Sequence, residues 1–182
     1  MSTRQAIAFT VALASMPAFA QDTGPFISAS VGQLRTSINN LPANFTADET
    51  STAWAIGGGY RFNQYIGLEA GYRDFGKLET RGPTTTTTNG TAWTFGGLAS
   101  YPLTERIDLL ARAGWFRWET KANNAAAGYH AENTGTEPYW GAGVSYTMTP
   151  KAAISANWTR FKSAYASTDD ADVFEIGLQY RF

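Results

Sequence analysis

The sequence predicts an all-β protein: an eight-stranded, antiparallel, up-and-down transmembrane β-barrel preceded by a cleavable signal peptide. Three observations support this: a leader-like N-terminus, alternating segments joined by short and long connections in turn, and strict apolar/polar alternation over the last nine residues. A two-residue period is typical of a strand with one face against an apolar medium. The mean hydropathy of −0.26 is compatible with this fold because only about half of each strand meets lipid.

Residues 1–20 have the pattern of a secretory signal peptide. Arg4 is their single positive residue, an apolar stretch covers 6–16, and Ala18-Phe19-Ala20 forms a small-x-small cleavage site. The apolar stretch is far shorter than the ~20 residues of a membrane-spanning helix. We therefore predict a signal peptide over 1–20 and one barrel domain over 21–182.

Composition excludes several classes of function. The 182 residues carry a formal net charge of −1, so the chain has no basic footprint for nucleic acid. Cysteine is absent, which excludes a disulfide framework, thiolate metal sites and cysteine nucleophiles. We expect no cofactor and no metal, and we expect a monomer.

Eight candidate strands follow one another along the mature chain. The connections at 63–64, 102–105 and 148–151 are short, and the others are long, polar and rich in Gly, Asn and Thr. Short periplasmic turns and long extracellular loops are typical of outer-membrane barrels. The predicted strands cover about 26–35, 52–62, 65–75, 91–101, 106–118, 137–148, 152–163 and 172–182.

Aromatic residues indicate which face is outside. They form two groups at the two ends of the strands, with Ile, Leu, Ala and Val between them. Amphipathic rings favour the two interfaces of a bilayer, so we expect the apolar face to meet lipid. A soluble ligand-binding barrel is the alternative. The aromatic belt at the long-loop end is Trp54, Trp93, Trp115, Trp140 and Trp158; the short-turn end has Tyr60, Phe62, Tyr101, Tyr146, Tyr180 and Phe182.

Several segments resemble the transmembrane domain of the OmpA family. The resemblance implies an eight-stranded outer-membrane barrel, inserted by the barrel-assembly machinery through a terminal signal at Leu178, Tyr180 and Phe182. Many members continue into a peptidoglycan-binding domain, whereas this sequence stops at Phe182, so we expect no such domain. The matching segments are Gly58 to Tyr72, Tyr101 to Thr104, Asp108 to Arg112, Gly141 to Pro150 and Gly177 to Phe182.

Charged residues on the inward face predict a lumen network. We expect Arg112 to serve both Glu69 and Glu175 at mid-barrel height, because an unpaired charge in a confined lumen is costly. Arg61, Asp108 and Arg181 are expected nearer the periplasmic mouth. The resemblance implies an interior Glu facing basic partners, which Glu69 and Arg112 match. Other charged positions of the family read Leu98, Ser145 and Ser155 here, which argues against a gate of exchanging ion pairs.

These observations favour a non-catalytic barrel that supports the envelope and makes surface contacts through four extracellular loops. A small-solute channel through the polar lumen is the alternative. A lipid-modifying enzyme is less favoured, because His130 is the only histidine and no Gly-x-Ser-x-Gly elbow accompanies it. Thr84 to Thr88 are expected to form a mobile loop tip. Outer-membrane lipid is an expected partner; no surface ligand can be read.

Overall fold

Antiparallel strands dominate the computed structural model, which describes residues 23–36, 46–47, 50–81, 86–124, 129–162 and 170–182. The predicted signal peptide lies outside these residues. Within them, a two-residue strand, Thr46–Ala47, pairs with the third of eight long strands. The long strands are β1 (Gly24–Thr36), β2 (Thr50–Arg61), β3 (Ile66–Arg81), β4 (Thr86–Pro102), β5 (Ile107–Asn124), β6 (Tyr129–Thr149), β7 (Ala152–Phe161) and β8 (Ala171–Arg181).

The eight strands close into a barrel. Each long strand pairs with its sequence neighbours, and β8 returns to β1. Ala29 in β1, for example, faces Ile56 in β2 and Leu178 in β8. Every pairing is antiparallel, so the predicted up-and-down barrel is confirmed. Among the described residues we find no helix with the length and apolar character to cross a bilayer.

The three short turns share one local device. In each, a side-chain oxygen accepts hydrogen bonds from the backbone amides that lead into the next strand. Asn63 Oδ1 accepts from the amides of Tyr65 and Ile66 at 2.8 and 2.9 Å. Thr104 and Thr149 use Oγ1 in the same way before β5 and β7. Asn and Thr stabilise tight turns by such local bonds, which keeps these connections short.

The four central strands extend further at the loop end than predicted. At this end, β3 and β5 continue to Arg81 and Asn124, beyond the predicted ends at about 75 and 118. β4 and β6 begin at Thr86 and Tyr129, before the predicted starts at about 91 and 137. The expected loop tip at Thr84 to Thr88 was wrong for residues 86–88, which pair with β3 and β5. His130 was expected in a loop but lies in β6 opposite Asn123. Apolar alternation ends where strands leave the bilayer, although backbone pairing continues.

A bulge in β3 marks the point where this extension begins. The register between β3 and β4 shifts between Asp74 and Lys77. Gly76 has φ +76°, a conformation that favours glycine, and its amide donates to Asp74 Oδ1 at 2.7 Å. A Cβ at Gly76 would also collide with Ser51 and Thr52. The glycine therefore permits a bend in β3 that a larger residue would strain.

Candidate functional site in the lumen

Alternation along each strand separates an exposed outer face from a packed interior. In β8, Ile176 is 61% exposed, whereas its neighbour Glu175 is 4% exposed. The same contrast holds around the barrel for the residues assigned to lipid and lumen. The predicted assignment of inside and outside is confirmed by this burial. Functional side chains that do not face lipid must lie in the lumen or above the membrane.

The structure places aromatic side chains in two outward bands. On the loop side, the ring of Tyr72 lies between those of Trp54 and Trp93, with centroid distances of 5.9 Å to Trp54 and 5.3 Å to Trp93. Trp140 and Trp158 meet edge to face at 4.8 Å. Trp115 is also exposed on the loop side. At the turn side, the exposed rings are Tyr60, Phe62, Tyr101, Tyr146, Tyr180 and Phe182.

The proposed terminal signal lies in the outward face of β8. Leu178, Tyr180 and Phe182 are exposed, and the last two rings lie 5.3 Å apart. The amide of Phe182 donates to the carbonyl of Pro25 at 3.2 Å, which holds the terminus beside β1. Its recognition by the assembly machinery stays a prediction.

A buried ion pair occupies the centre of the lumen. Arg73 Nη1 and Nη2 donate to the two carboxylate oxygens of Glu175 at 2.6 and 3.0 Å. Ser30 Oγ donates to the same carboxylate at 2.8 Å. The guanidinium carbon of Arg73 also lies 5.2 Å from the centroid of Phe161. Bidentate geometry, a third donor and an aromatic face together fix this pair in one arrangement.

Arg112 makes a looser set of contacts next to this pair. Its Nη1 lies 3.8 Å from Glu69 Oε1, and its Nη2 donates to Asn157 Oδ1 at 3.2 Å. Tyr139 OH donates to Glu69 Oε1 at 3.5 Å. The expectation that Arg112 also serves Glu175 was wrong, because Arg73 occupies that carboxylate with ideal fork geometry.

Sequence reasoning missed Arg73, although a usable pattern was present. Arg73 shares its parity in β3 with Glu69 and Gly71, both assigned inward. The strand was expected to end near residue 75, so Arg73 lay close to the predicted rim. Its actual position, well inside the barrel, follows from the continuation of β3 to Arg81.

An aromatic plug lies on the extracellular side of the ion pair. We use this name for Phe75, Phe116, Tyr139 and Phe161, which are all buried. The ring of Phe161 lies 5.3, 4.9 and 5.6 Å from those of Phe75, Phe116 and Tyr139. The same apolar cluster also includes Leu34, Ala53, Ala92, Ala171 and Val173. Inward-facing aromatic residues at this level were not predicted from the sequence.

The periplasmic half of the lumen is polar and open. A vestibule of about 450 Å³ is lined in part by Arg61, Asp108 and Arg181, the three residues expected near this mouth. Arg61 Nη1 donates to Ser100 Oγ at 2.9 Å, and that hydroxyl donates to the carbonyl of Gln64 at 2.6 Å. These bonds tie the vestibule wall to the first periplasmic turn.

A small cluster of apolar side chains separates the vestibule from the middle of the lumen. Phe26, Leu98 and Leu110 form a second buried cluster. In the strand register, Phe26 is opposite Gly59, one inward position above Arg61, whereas Leu98 is opposite Arg112 and Leu110 lies one inward position below Arg112. A cavity of about 60 Å³ remains next to Glu69, Arg73 and Arg112. The described side chains thus divide the lumen into an open vestibule, a small polar cavity and the aromatic plug.

The comparisons agree with this architecture. The sequence profile of the outer membrane protein β-barrel domain matches residues 6–182. Outer membrane protein A of Shigella flexneri is 29% identical over an alignment 197 positions long, which covers 98% of this chain and 56% of that protein. The chain therefore spans about half the length of this relative.

Solved structures show the same fold at low sequence identity. Ail of Yersinia pestis, in complex with the heparin analogue sucrose octasulfate, has a TM-score of 0.62 at 17% identity and covers 88% of this chain and 99% of its own. Neisserial surface protein A has a TM-score of 0.68 at 14% identity, with coverages of 87% and 97%. This chain therefore belongs to the outer membrane protein β-barrel domain family, as an OmpA-like barrel of the Gram-negative outer membrane.

Proposed function

We propose that this protein is a closed, non-catalytic barrel that supports the outer membrane and makes contacts outside the cell through its extracellular part. The observation that carries the proposal is the lumen filling. Three groups of side chains lie between the vestibule and the outside: the apolar cluster of Phe26, Leu98 and Leu110, the Arg73–Glu175 pair and the aromatic plug. An eight-stranded interior is just wide enough for its own side chains, so such filling leaves little room for solutes.

The extended strands support the surface-contact part of the proposal. β5 continues nine residues beyond Trp115, and β6 begins eleven residues before Trp140. At about 3.3 Å per residue, this hairpin reaches well beyond the headgroup layer even when the strands are tilted. A long paired hairpin presents a more ordered surface than a free loop does, which favours recognition of a partner.

A complementation experiment separates the two roles. Residues 121–132 would be replaced by Asn-Gly, which closes a two-residue hairpin between Thr120 and Asn133. Cells lacking the protein would receive the original or the shortened form, and detergent sensitivity and attachment to a heparin-coated surface would be measured. Heparin is a suitable first probe, because Ail was solved with a heparin analogue.

We expect the shortened form to restore detergent resistance and to lose attachment. A control with a Gly/Ser segment of equal length in place of 121–132 should behave like the shortened form if sequence matters. Attachment unchanged by both replacements would contradict the contact role. Failure of the original protein to restore detergent resistance would contradict the envelope role.

The channel is the second candidate, and the vestibule favours it. Its polar wall and its opening at the periplasmic end are what a solute path would need. Such a path would require the aromatic plug to move, and the plug residues pack against one another through several ring contacts. Conductance distinguishes the two candidates.

Catalysis is outside the proposal for a chemical reason. The lipid-modifying alternative relied on His130, and lipid turnover that disappears in His130→Ala would restore that alternative. Among the described residues, no group of three or more His, Cys, Asp or Glu side chains is placed to hold a metal ion. In the middle of the lumen, Arg73 pairs with Glu175 and Arg112 lies near Glu69, an arrangement that suits packing better than proton transfer.

A further inference from the structure

The outer surface of three neighbouring strands carries a row of charges just above the aromatic belt. Arg35 in β1 is opposite Asp172 in β8, and Asp172 is opposite Arg160 in β7. Arg35 shares its parity with the exposed Val31, and Asp172 shares its parity with the exposed Ile176. We call Arg35, Asp172 and Arg160 the arginine row. It lies on the side of the barrel wall that faces lipid.

Arg160 is held in a fixed orientation. Its Nε and Nη2 donate to the two oxygens of Asp172, each at 2.8 Å. Trp158 Nε1 donates to Asp172 Oδ1 at 3.1 Å. The guanidinium carbon lies 5.4 Å from the centroid of the Trp158 ring and 6.0 Å from that of Trp140. These contacts leave Nη1 of Arg160 with no acceptor among the described residues.

Arg35 makes a similar ring contact one strand beyond Asp172. Its guanidinium carbon lies 5.6 Å from the centroid of the Phe174 ring, which belongs to the next outward level below. Asp172 pairs with Arg160, and Asp170 also acts on Arg160, so Arg35 carries the positive charge that these carboxylates do not offset. Both arginines therefore cover aromatic rings with one face and offer donors at the edge.

The height of the row indicates which groups it meets. Aromatic side chains mark the boundary between hydrocarbon and headgroups. Two residues further along a strand correspond to about 7 Å, so the row lies in the headgroup layer of the outer leaflet. Phosphate is the strong acceptor of that layer, and the planar fork of arginine binds it with two parallel hydrogen bonds.

We propose that Arg35 and Arg160 bind phosphate groups of outer-leaflet lipids. The two arginines lie two strand spacings apart, about 10 Å, so each contacts its own phosphate. The opposite wall differs. There Arg117 lines a surface depression together with two carboxylates, Asp74 and Glu119. The structure thus favours lipid phosphate on one side of the barrel, and Arg117 provides a matched control.

Native mass spectrometry of the detergent-solubilised barrel tests the proposal. The protein would be titrated with phosphatidic acid and, separately, with phosphatidylcholine, and the dissociation constants compared. Arg35→Gln, Arg160→Gln, the double variant and the control Arg117→Gln would be measured alongside the unmodified protein. Migration with and without heating shows that each barrel is folded. Arg35→Gln breaks no ion pair found among the described residues, so it remains informative if Arg160→Gln folds poorly.

We expect phosphatidic acid to bind more tightly than phosphatidylcholine, and the double variant to lose roughly tenfold in affinity, as for the loss of charge-assisted hydrogen bonds. Each single variant should lose less, and Arg117→Gln should bind normally. An unchanged affinity in the double variant, or an equal loss in Arg117→Gln, would overturn the proposal. Displacement of the lipid by millimolar inorganic phosphate would identify a free-anion site instead and would overturn it too.

Discussion

The two halves of the lumen are built on one backbone and filled in different ways. The periplasmic half carries Arg61, Asp108 and Arg181 around an open vestibule. The extracellular half contains the aromatic plug, with the Arg73–Glu175 pair directly beneath it. Strand alternation decides only that a side chain points inward. Whether the interior is a path or a core depends on the chemistry of each level.

The difference has an energetic consequence. In the vestibule, Asp108 and Arg181 are partly accessible, so water screens their charges and each should contribute little to stability. The Arg73–Glu175 pair is nearly inaccessible, at 8% and 1% side-chain exposure, so the removal of one partner leaves a buried charge. Similar substitutions should therefore have unequal effects in the two halves.

Phe161→Ala should be the most damaging change. Phe161 contacts the other three plug rings and the guanidinium of Arg73, so its removal opens a cavity and exposes the pair. We expect a loss in the upper part of the about 3–5 kcal/mol range for buried Phe→Ala changes. Urea unfolding in lipid vesicles measures it. Phe161→Leu, which keeps most of the volume, should lose much less, and a loss below about 1 kcal/mol for Phe161→Ala would show that the plug is not packed.

Arg73→Ala should cost about 3–5 kcal/mol, because Glu175 is left as an uncompensated buried charge. The matched change in the vestibule, Arg181→Ala, should cost about 1 kcal/mol or less. Combining Arg73→Met with Glu175→Gln should recover most of the loss, since both charges are then removed. Equal losses for Arg73→Ala and Arg181→Ala would remove the contrast between the two halves.

Ile176→Arg should cost about 2–4 kcal/mol, since it places a charge on the lipid face. Gln179→Arg, on the lumen face of the same strand, should cost much less. The two variants test whether Ile176 faces lipid and Gln179 faces the lumen, an assignment on which the description of both halves depends. Similar free energies of unfolding for the two variants in lipid vesicles would contradict the face assignment.

Arg112→Ala should have the smallest of these effects, about 1–2 kcal/mol, because its contacts with Glu69 and Asn157 are long and partly accessible. Adding Glu69→Gln should restore part of that loss. A double-mutant cycle measures the coupling directly. Strict additivity would mean that Arg112 and Glu69 do not interact, and the proposed network at this level would have to be abandoned.

These features differ in how far the sequence predicts them. The barrel, the faces and the belts follow from alternation and from the sorting of aromatic residues, because lipid imposes both. The plug is different. Phe75, Phe116 and Phe161 have the parity of the inward residues of their strands, but alternation does not show that rings from different strands meet in one cluster.

The partners of the charged residues in the lumen could not be predicted from the sequence either. Arg112 and Glu175 were placed at one height by counting along strands, but the stagger of neighbouring strands decides which inward residues meet. In the structure, Asn157 lies opposite Glu175 on the neighbouring strand, and Arg73 binds Glu175 from across the lumen. Partners across a barrel depend on strand stagger and side-chain length together, and neither can be read from one strand at a time.

Planar-bilayer conductance of the purified, unmodified protein tests the closed lumen most directly. The packing of the plug predicts no stable, reproducible openings, and it predicts that Phe161→Ala combined with Arg73→Ala produces them if the variant remains folded. Stable openings of uniform size from the unmodified protein would contradict the closed lumen and would establish the channel in its place.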